Sequence, residues 1–225
     1  MFPPTDFFDL SDESLAHLFS DCVFVWDALK GIPQAVLLLT AEPKIAGEVH
    51  PTAVLSGVVS IGENSIIEPH VHIQGPVYIG KNTTLRHGAY IRPNSIIGDD
   101  CVVGHDSEVK GSIMLRGSHA PHFAYVGDSI LGRGVNLGAG TKLANFKLQG
   151  NEITLRYQGE TIRTGLRKFG AIIGDGTSVG CNTVTAPGTI IGKDCWVYSM
   201  LSLRDYIPHG SIVKPEVTFT ITQKH

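Results

Sequence analysis

The sequence predicts an all-β fold, a parallel β-helix in which short strands coil around a common axis. Three observations predict it. Aliphatic residues recur every six positions at Val49, Leu55, Ile61, Ile67, Ile73, Ile79, Leu85, Ile91, Ile97, Val103, Val109 and Leu115. Neither a helix, with period 3.6, nor a simple strand, with period 2, produces that spacing. The residue two before each aliphatic is usually short, as at Ala53, Ser65, Val71, Thr83, Ala89, Ser95, Cys101 and Ser107. Glycine often follows the aliphatic, at Gly62, Gly80, Gly98 and Gly104, and the chain holds 26 glycines in 225 residues, against a typical ~7%. A large aliphatic, a turn and a small inward residue form a hexapeptide β-helix unit, three of which close one triangular coil.

Residues 1–47 stand outside the repeat. Leu15, Leu18, Phe19 and Cys22 fall at i, i+3, i+4 and i+7, so a short amphipathic helix is expected there, with Ser11 or Asp12 as its N-cap. Trp26 and the apolar run 36–39 lie near it. An open β-helix end exposes unpaired strand edges, and covering them is the expected role of this cap. Residues 48–215 form the β-helix itself. Its register breaks after Leu115, and the next aliphatic–glycine steps are Val126-Gly127, Leu131-Gly132 and Leu137-Gly138. The repeat resumes at Ile173-Gly174, Val179-Gly180, Ile191-Gly192, Val197 and Leu203. A solenoid tolerates such breaks by bulging outward, so the first break, holding residues 117–122, and the second, residues 146–169, are both expected to protrude. Residues 152–157 and 160–164 flank Gln158-Gly159, which reads as a hairpin. The tail, 216–225, alternates weakly through Val217, Phe219 and Ile221, as a strand paired with a neighbour would.

Composition narrows the function. Eighteen Lys and Arg against 21 Asp and Glu leave a net charge of −3, so nucleic acid is not the expected partner. No apolar run reaches the ~18 residues of a membrane span. The N-terminus has no basic region of a signal peptide, and the four cysteines form no C-x-x-C pair. A cytoplasmic, reduced protein is expected. Cys101 and Cys195 take small inward slots, whereas Cys181 lies just past Val179 and can face a ligand.

Residues one coil apart lie above one another. Arg92 and Lys110 are 18 apart, each following an inward aliphatic, and should stack on one face. Such a pair is either two solvated side chains or a phosphate site combining a planar fork with a point charge. His87 and His105 are also 18 apart, with His122 17 further on. That column is either plain surface or a metal edge, since histidine suits zinc. The γ-class carbonic anhydrases use two metal histidines five apart plus a distant third, and no pair among His70, His72, His87, His105, His119 and His122 is five apart.

A family resemblance emerges from residues 119–145. His122, Tyr125, Gly127 and Asp128 spell H-x-x-Y-x-G-D; residues 135–141 spell V-N-x-G-A-G-T; Asn145 follows four residues later. This resembles the acetyltransferase domain of the bifunctional N-acetylglucosamine-1-phosphate uridyltransferase/glucosamine-1-phosphate acetyltransferases, over residues 50–214. The resemblance implies a left-handed β-helix, homotrimeric packing and acetyl-CoA as co-substrate. Arg92 and Lys110 sit at the family's sugar-phosphate offsets, 30 and 12 residues before the histidine. Tyr125 and Asn136 match its sugar-binding residues, and Lys168 matches its last sugar-site lysine.

The implied catalytic set is His122 as general base, the Ala139 N–H as oxyanion donor and Glu108 orienting His122. The implied coenzyme set is Asn145, Phe146, Cys181, Ser199 and Lys214. Phe146 replaces the usual Tyr, Cys181 the usual Ser, and the hairpin is extra. No metal is implied, because thioester aminolysis needs neither a Lewis acid nor an activated water. The family's uridyltransferase domain, with its glycine-rich loop, has no counterpart in the roughly 47 residues before the repeat. The N-terminal helix and hairpin together resemble acyltransferase homologues associated with sugar nucleotidyltransferases. The expected reaction is acetylation of an amino-sugar 1-phosphate, most simply glucosamine 1-phosphate. The alternatives are a related hexapeptide acyltransferase on another amino sugar, or a non-catalytic trimeric module partnering a separate sugar nucleotidyltransferase.

Overall fold

The computed structural model describes residues 2–11, 13–216, 218 and 220–223. Asp12, the alternative N-cap, and Val217 and Phe219 of the expected tail strand lie outside the described residues.

Three parallel sheets form the walls of a solenoid of about nine turns. The first face has nine strands, from Glu48–Val49 to Ile212–Val213. The second has eight, from Val54–Ser56 to Ser202–Leu203, and the third has eight, from Val59–Ile61 to Tyr206–Ile207. The hexad aliphatics point inward and stack into one core, Ile67 on Leu85 on Val103, and Ile73 on Ile91 on Val109. Each such side chain is worth roughly 1.5–3 kcal/mol on burial. The short residues before them serve a second purpose. Ser65 Oγ–H donates to the Gly80 carbonyl at 2.7 Å and accepts the Thr83 N–H at 2.9 Å. Thr83 repeats this one coil later with Gly98 and Cys101. The small inward column thereby satisfies corner backbone groups that burial would otherwise orphan.

The first register break is not a bulge. Val102 pairs with His119, Glu108 with Tyr125 and Ile113 with Ile130, so two coils are simply 17 residues long. The shortening falls between Val109 and the third face, where Met114, not Leu115, points inward. Leu115 belongs instead to a second core outside the solenoid. Residues 117–122 stay in the wall, and His119–His122 is a regular strand of the first face. The second break does leave the wall. After Leu143 the chain forms an antiparallel hairpin, Thr154–Tyr157 with Glu160–Arg163, and returns at Ala171–Ile173.

That second core corrects the reading of the N-terminal segment. The third-face strands carry aliphatics on both sides, with Ile96, Ile113, Ile130, Ile172 and Ile190 outward and buried. Phe2, Phe7, Phe8, Trp26, Ile32 and Val36 pack over them, with Ile153 and Leu155 of the insertion. The segment therefore covers a flank of the solenoid rather than an open end. Residues 44–46 meet an end strand, through Ile45 beside Ile61. The main helix is Asp27–Leu39, while the stretch expected to be helical forms just a 3-10 turn, Ala16–Phe19, without a side-chain cap. Ser11 bonds Asp9 instead of capping a helix. Pro33 lies inside Asp27–Leu39 and masks it from sequence reading. A mid-helix proline costs about 3 kcal/mol, which burial of Ala28, Leu29, Ile32 and Val36 offsets. Among the described residues no helix is long and apolar enough to cross a membrane.

Candidate active site

The second face holds the cationic cluster. Glu108 and Lys110 flank the inward Val109, so both side chains point outward. Ile91 pairs with Val109, which sets Arg92 directly below Lys110, as the coil count predicts. Each cation has a carboxylate of its own. Arg92 Nη1–H donates to Glu108 Oε1 at 2.8 Å. The ammonium of Lys110 donates to both oxygens of Asp128, at 3.0 and 2.8 Å. The Glu108 hydrogen bond raises the Arg92 guanidinium above its usual range. Glu108 is thus committed to Arg92, and no hydrogen bond joins it to His122 among the described residues, contrary to the orienting role expected for it.

Asp128 is a site residue whose role sequence reasoning missed, although it closes the H-x-x-Y-x-G-D motif. It also accepts a hydrogen bond from Asn145 Nδ2, and Asn145 and the Tyr125 phenol both lie against Gly127. Burial, with Glu108 and Asp128 nearby, pushes that phenol above its usual range. Lys110, Asp128 and Asn145 form one connected network, with the Tyr125 phenol beside it. Asn145, expected among the coenzyme contacts, lies instead with the sugar-phosphate candidates. Phe146 bridges Lys168, and the Phe169 N–H donates to the Asn145 carbonyl at 2.9 Å. The neck of the insertion therefore delivers Lys168 to the edge of the same cluster.

The corner between first and second faces carries the remaining candidates in a single line. His87, His105, His122, Ala139, Cys181 and Ser199 each lie two residues past the inward residue of successive first-face strands. Neighbouring strands in a ladder are about 4.8 Å apart, so this is a continuous track. The His87 and His105 rings stack at 5.6 Å, but the next ring against His105 belongs to Phe123, at 5.1 Å, not to His122. Phe123 turns the corner with φ of 50° and frees the exposed His122 imidazole, which has no hydrogen-bond partner among the described residues.

The Gly138-Ala139-Gly140 turn sits directly above His122. Gly140 N–H donates to the His122 carbonyl at 3.0 Å, and Gly138 N–H donates to Val179 at 2.6 Å. The Ala139 N–H between them has no acceptor among the described residues, which is the state an oxyanion donor requires. Lys142 braces the turn, its ammonium donating to the Gly140 carbonyl at 2.7 Å.

A groove of about 440 Å³ on the first face gathers Asn136, Cys181 and Ser199 with Trp196 and Tyr198. Lys214 places its ammonium 5.5 Å from the centre of the Tyr198 ring, at the groove's rim. Trp196 and Tyr198 were not anticipated; large exposed aromatics at outward hexad positions were the available signal. Asn136, expected beside Tyr125, lies in this groove, one face away from the cationic cluster.

Comparison with known proteins agrees with the fold. The profile described as "GMPPB C-terminal domain" matches residues 73–164, and that of the hexapeptide repeat of succinyl-transferase matches residues 170–198. The chain is 40% identical over 206 residues to a "Bifunctional protein GlmU" of Methanococcus maripaludis, covering 92% of the chain and 49% of that protein. It is 34% identical over 199 residues to the protein of the same name from Methanococcus aeolicus, covering 88% of the chain and 48% of that protein. The chain thus spans about half the length of these curated relatives. Among solved structures, the UDP-N-acetylglucosamine acyltransferase from Campylobacter jejuni superposes with a TM-score of 0.52 at 19% identity, over 72% of this chain and 69% of that one. Repeat and solenoid together define a protein of the hexapeptide-repeat class. The chain is similar to the bifunctional GlmU proteins over about nine tenths of its own length and carries their hexapeptide repeat.

Proposed function

We propose that this protein transfers an acetyl group from acetyl-CoA to the amine of glucosamine 1-phosphate in nucleotide-sugar synthesis. The observation that carries the reading is the exposed His122 imidazole directly beneath the unbonded Ala139 N–H, at the corner that opens onto the face bearing Arg92 and Lys110. The amine attacks the thioester carbonyl, and its electron pair forms the new C–N bond. His122 takes the proton that the nitrogen must shed. The Ala139 N–H holds the oxyanion of the tetrahedral intermediate. Collapse of that intermediate expels the coenzyme thiolate, which His122 then protonates. Arg92, Lys110 and Lys168 bind the sugar phosphate, and Tyr125 orients the ring. The first-face groove receives the coenzyme along Cys181 and Ser199, with Trp196 and Tyr198 as an apolar wall and Lys214 for its phosphates. Asn136 and the groove are a face away from the cluster in one chain. A homotrimer, in which one copy's first face meets its neighbour's second face, joins the two half-sites.

The test is thiol release from acetyl-CoA with glucosamine 1-phosphate. The parent protein turns over, and His122→Ala loses at least about 100-fold, the usual contribution of a general base. No turnover by the parent sends the search to galactosamine 1-phosphate and then to nucleotide amino sugars. Equal turnover by both proteins removes His122 from the mechanism.

A further inference from the structure

Both phosphate-binding cations are already neutralised. Arg92 is engaged by Glu108 at 2.8 Å, and Lys110 by Asp128 at 2.8 Å. The two pairs stack on one face in adjacent coils, and the second is largely enclosed, with only 18% of either side chain exposed. An anion alone fits this arrangement poorly. If it takes the remaining donors of Arg92 and Lys110 it sits against two carboxylates. If it displaces the carboxylates it leaves them without partners, and unpaired charges in a partly desolvated site are costly. A ligand carrying both charges fits well. Its phosphate takes the cations while its ammonium or hydroxyl donors take the carboxylates, so every group is paired again.

We propose that the paired arrangement Arg92–Glu108 and Lys110–Asp128 selects zwitterionic sugar phosphates, meaning those with a free amine, and rejects the same phosphate on a neutral sugar. The inference rests on the sugar-phosphate reading of this cluster. It adds that Glu108 and Asp128 determine specificity as counter-charges. Acetylation would then weaken the product's hold on the site, because the amide carries no charge for the carboxylates.

The experiment is calorimetric binding without acetyl-CoA, so no turnover is needed. Glucosamine 1-phosphate, glucose 1-phosphate and inorganic phosphate are titrated into the parent, Asp128→Asn and Glu108→Gln. Asn at 128 keeps the shape of the side chain and tolerates its φ of 45°; a thermal melt verifies folding. The parent is expected to bind the amino sugar phosphate at least tenfold more tightly than glucose 1-phosphate. In either variant glucose 1-phosphate and inorganic phosphate should bind at least fivefold more tightly than in the parent, and the preference should collapse. Equal binding of the two sugar phosphates by the parent overturns the proposal. So does unchanged or weaker binding of glucose 1-phosphate by folded variants, or no binding of any sugar phosphate by parent and variants alike. The proposal and the acetyltransferase reading fail separately: selective binding without thiol release sinks only the reaction, and thiol release without binding selectivity sinks only the role of the carboxylates.

Discussion

Thr185 sits where its neighbours along the inward column, Leu143 and Leu203, are aliphatic. Its Oγ1 is buried without a hydrogen-bond partner among the described residues. An unsatisfied buried hydroxyl costs about 1–3 kcal/mol. Thr185→Val, close in shape, should therefore raise stability by about 1–2 kcal/mol, read as a higher urea midpoint at unchanged slope. The cysteines make a second residue-level test. Burial pushes the Cys101 thiol up to about 11, and Cys195 is equally enclosed, whereas Cys181 is exposed. At pH 8 a thiol-specific reagent should label Cys181 first and half-buried Cys22 more slowly. Cys101 and Cys195, both closed off from solvent, should wait for denaturant. Acetyl-CoA should slow the Cys181 phase if the groove is its site; unaltered labelling at saturating coenzyme would place the coenzyme elsewhere. Spacing revealed Arg92 above Lys110, because both lie in 18-residue coils. It did not reveal their carboxylates. Lys110 and Asp128 are also 18 apart, but their coil is 17 long, so Asp128 falls one residue past the Gly127 that pairs with Lys110.

At the scale of elements, period six survives wherever a side of the triangle is a full hexad. It misled at Leu115, because Val109 to Met114 is a five-residue step. Isoleucine doublets on the third face were the available signal for a wall buried on both sides. The helix Asp27–Leu39 was hidden by Gly31 and Pro33, both at exposed positions where packing overrides local preference. Glycine positions in the wall are testable. A Cβ on Gly104 would collide with the backbone carbonyl of Pro121 in the adjacent strand. Neither strand can retreat without breaking the ladder, so Gly104→Ala should destabilise by about 2–3 kcal/mol. A melting temperature within a degree of the parent's would show that the ladder is softer than this geometry implies.

At the scale of the molecule, the described residues form two cores, one inside the solenoid and one between its third face and the N-terminal segment. Removing residues 1–41 would strip Ile96, Ile113, Ile130, Ile172 and Ile190 of their cover. An exposed apolar stripe of that length invites association. The truncated protein should aggregate, as light scattering would register; a monodisperse product would mean that the stripe tolerates water. The same measurement on the full chain tests the proposed assembly. A mass of three chains is expected, and a monomer at micromolar concentration would leave the groove and the cationic cluster unconnected.

The hairpin insertion has a topological consequence. The coils below and above it are held by parallel pairing of Ile130 with Ile172, Asn136 with Ser178 and Lys142 with Val184, none of which passes through the loop. Hydrolysis between Gln158 and Gly159, at the exposed hairpin tip, would sever the polypeptide and leave that ladder whole. The longer fragment would keep Arg92, Lys110, His122 and Ala139, and the shorter one Lys168, Cys181, Ser199 and Lys214. Two separately translated pieces, each inert alone, could then rebuild one working site by stacking end to end, which turns the loop into a natural seam for split-protein complementation.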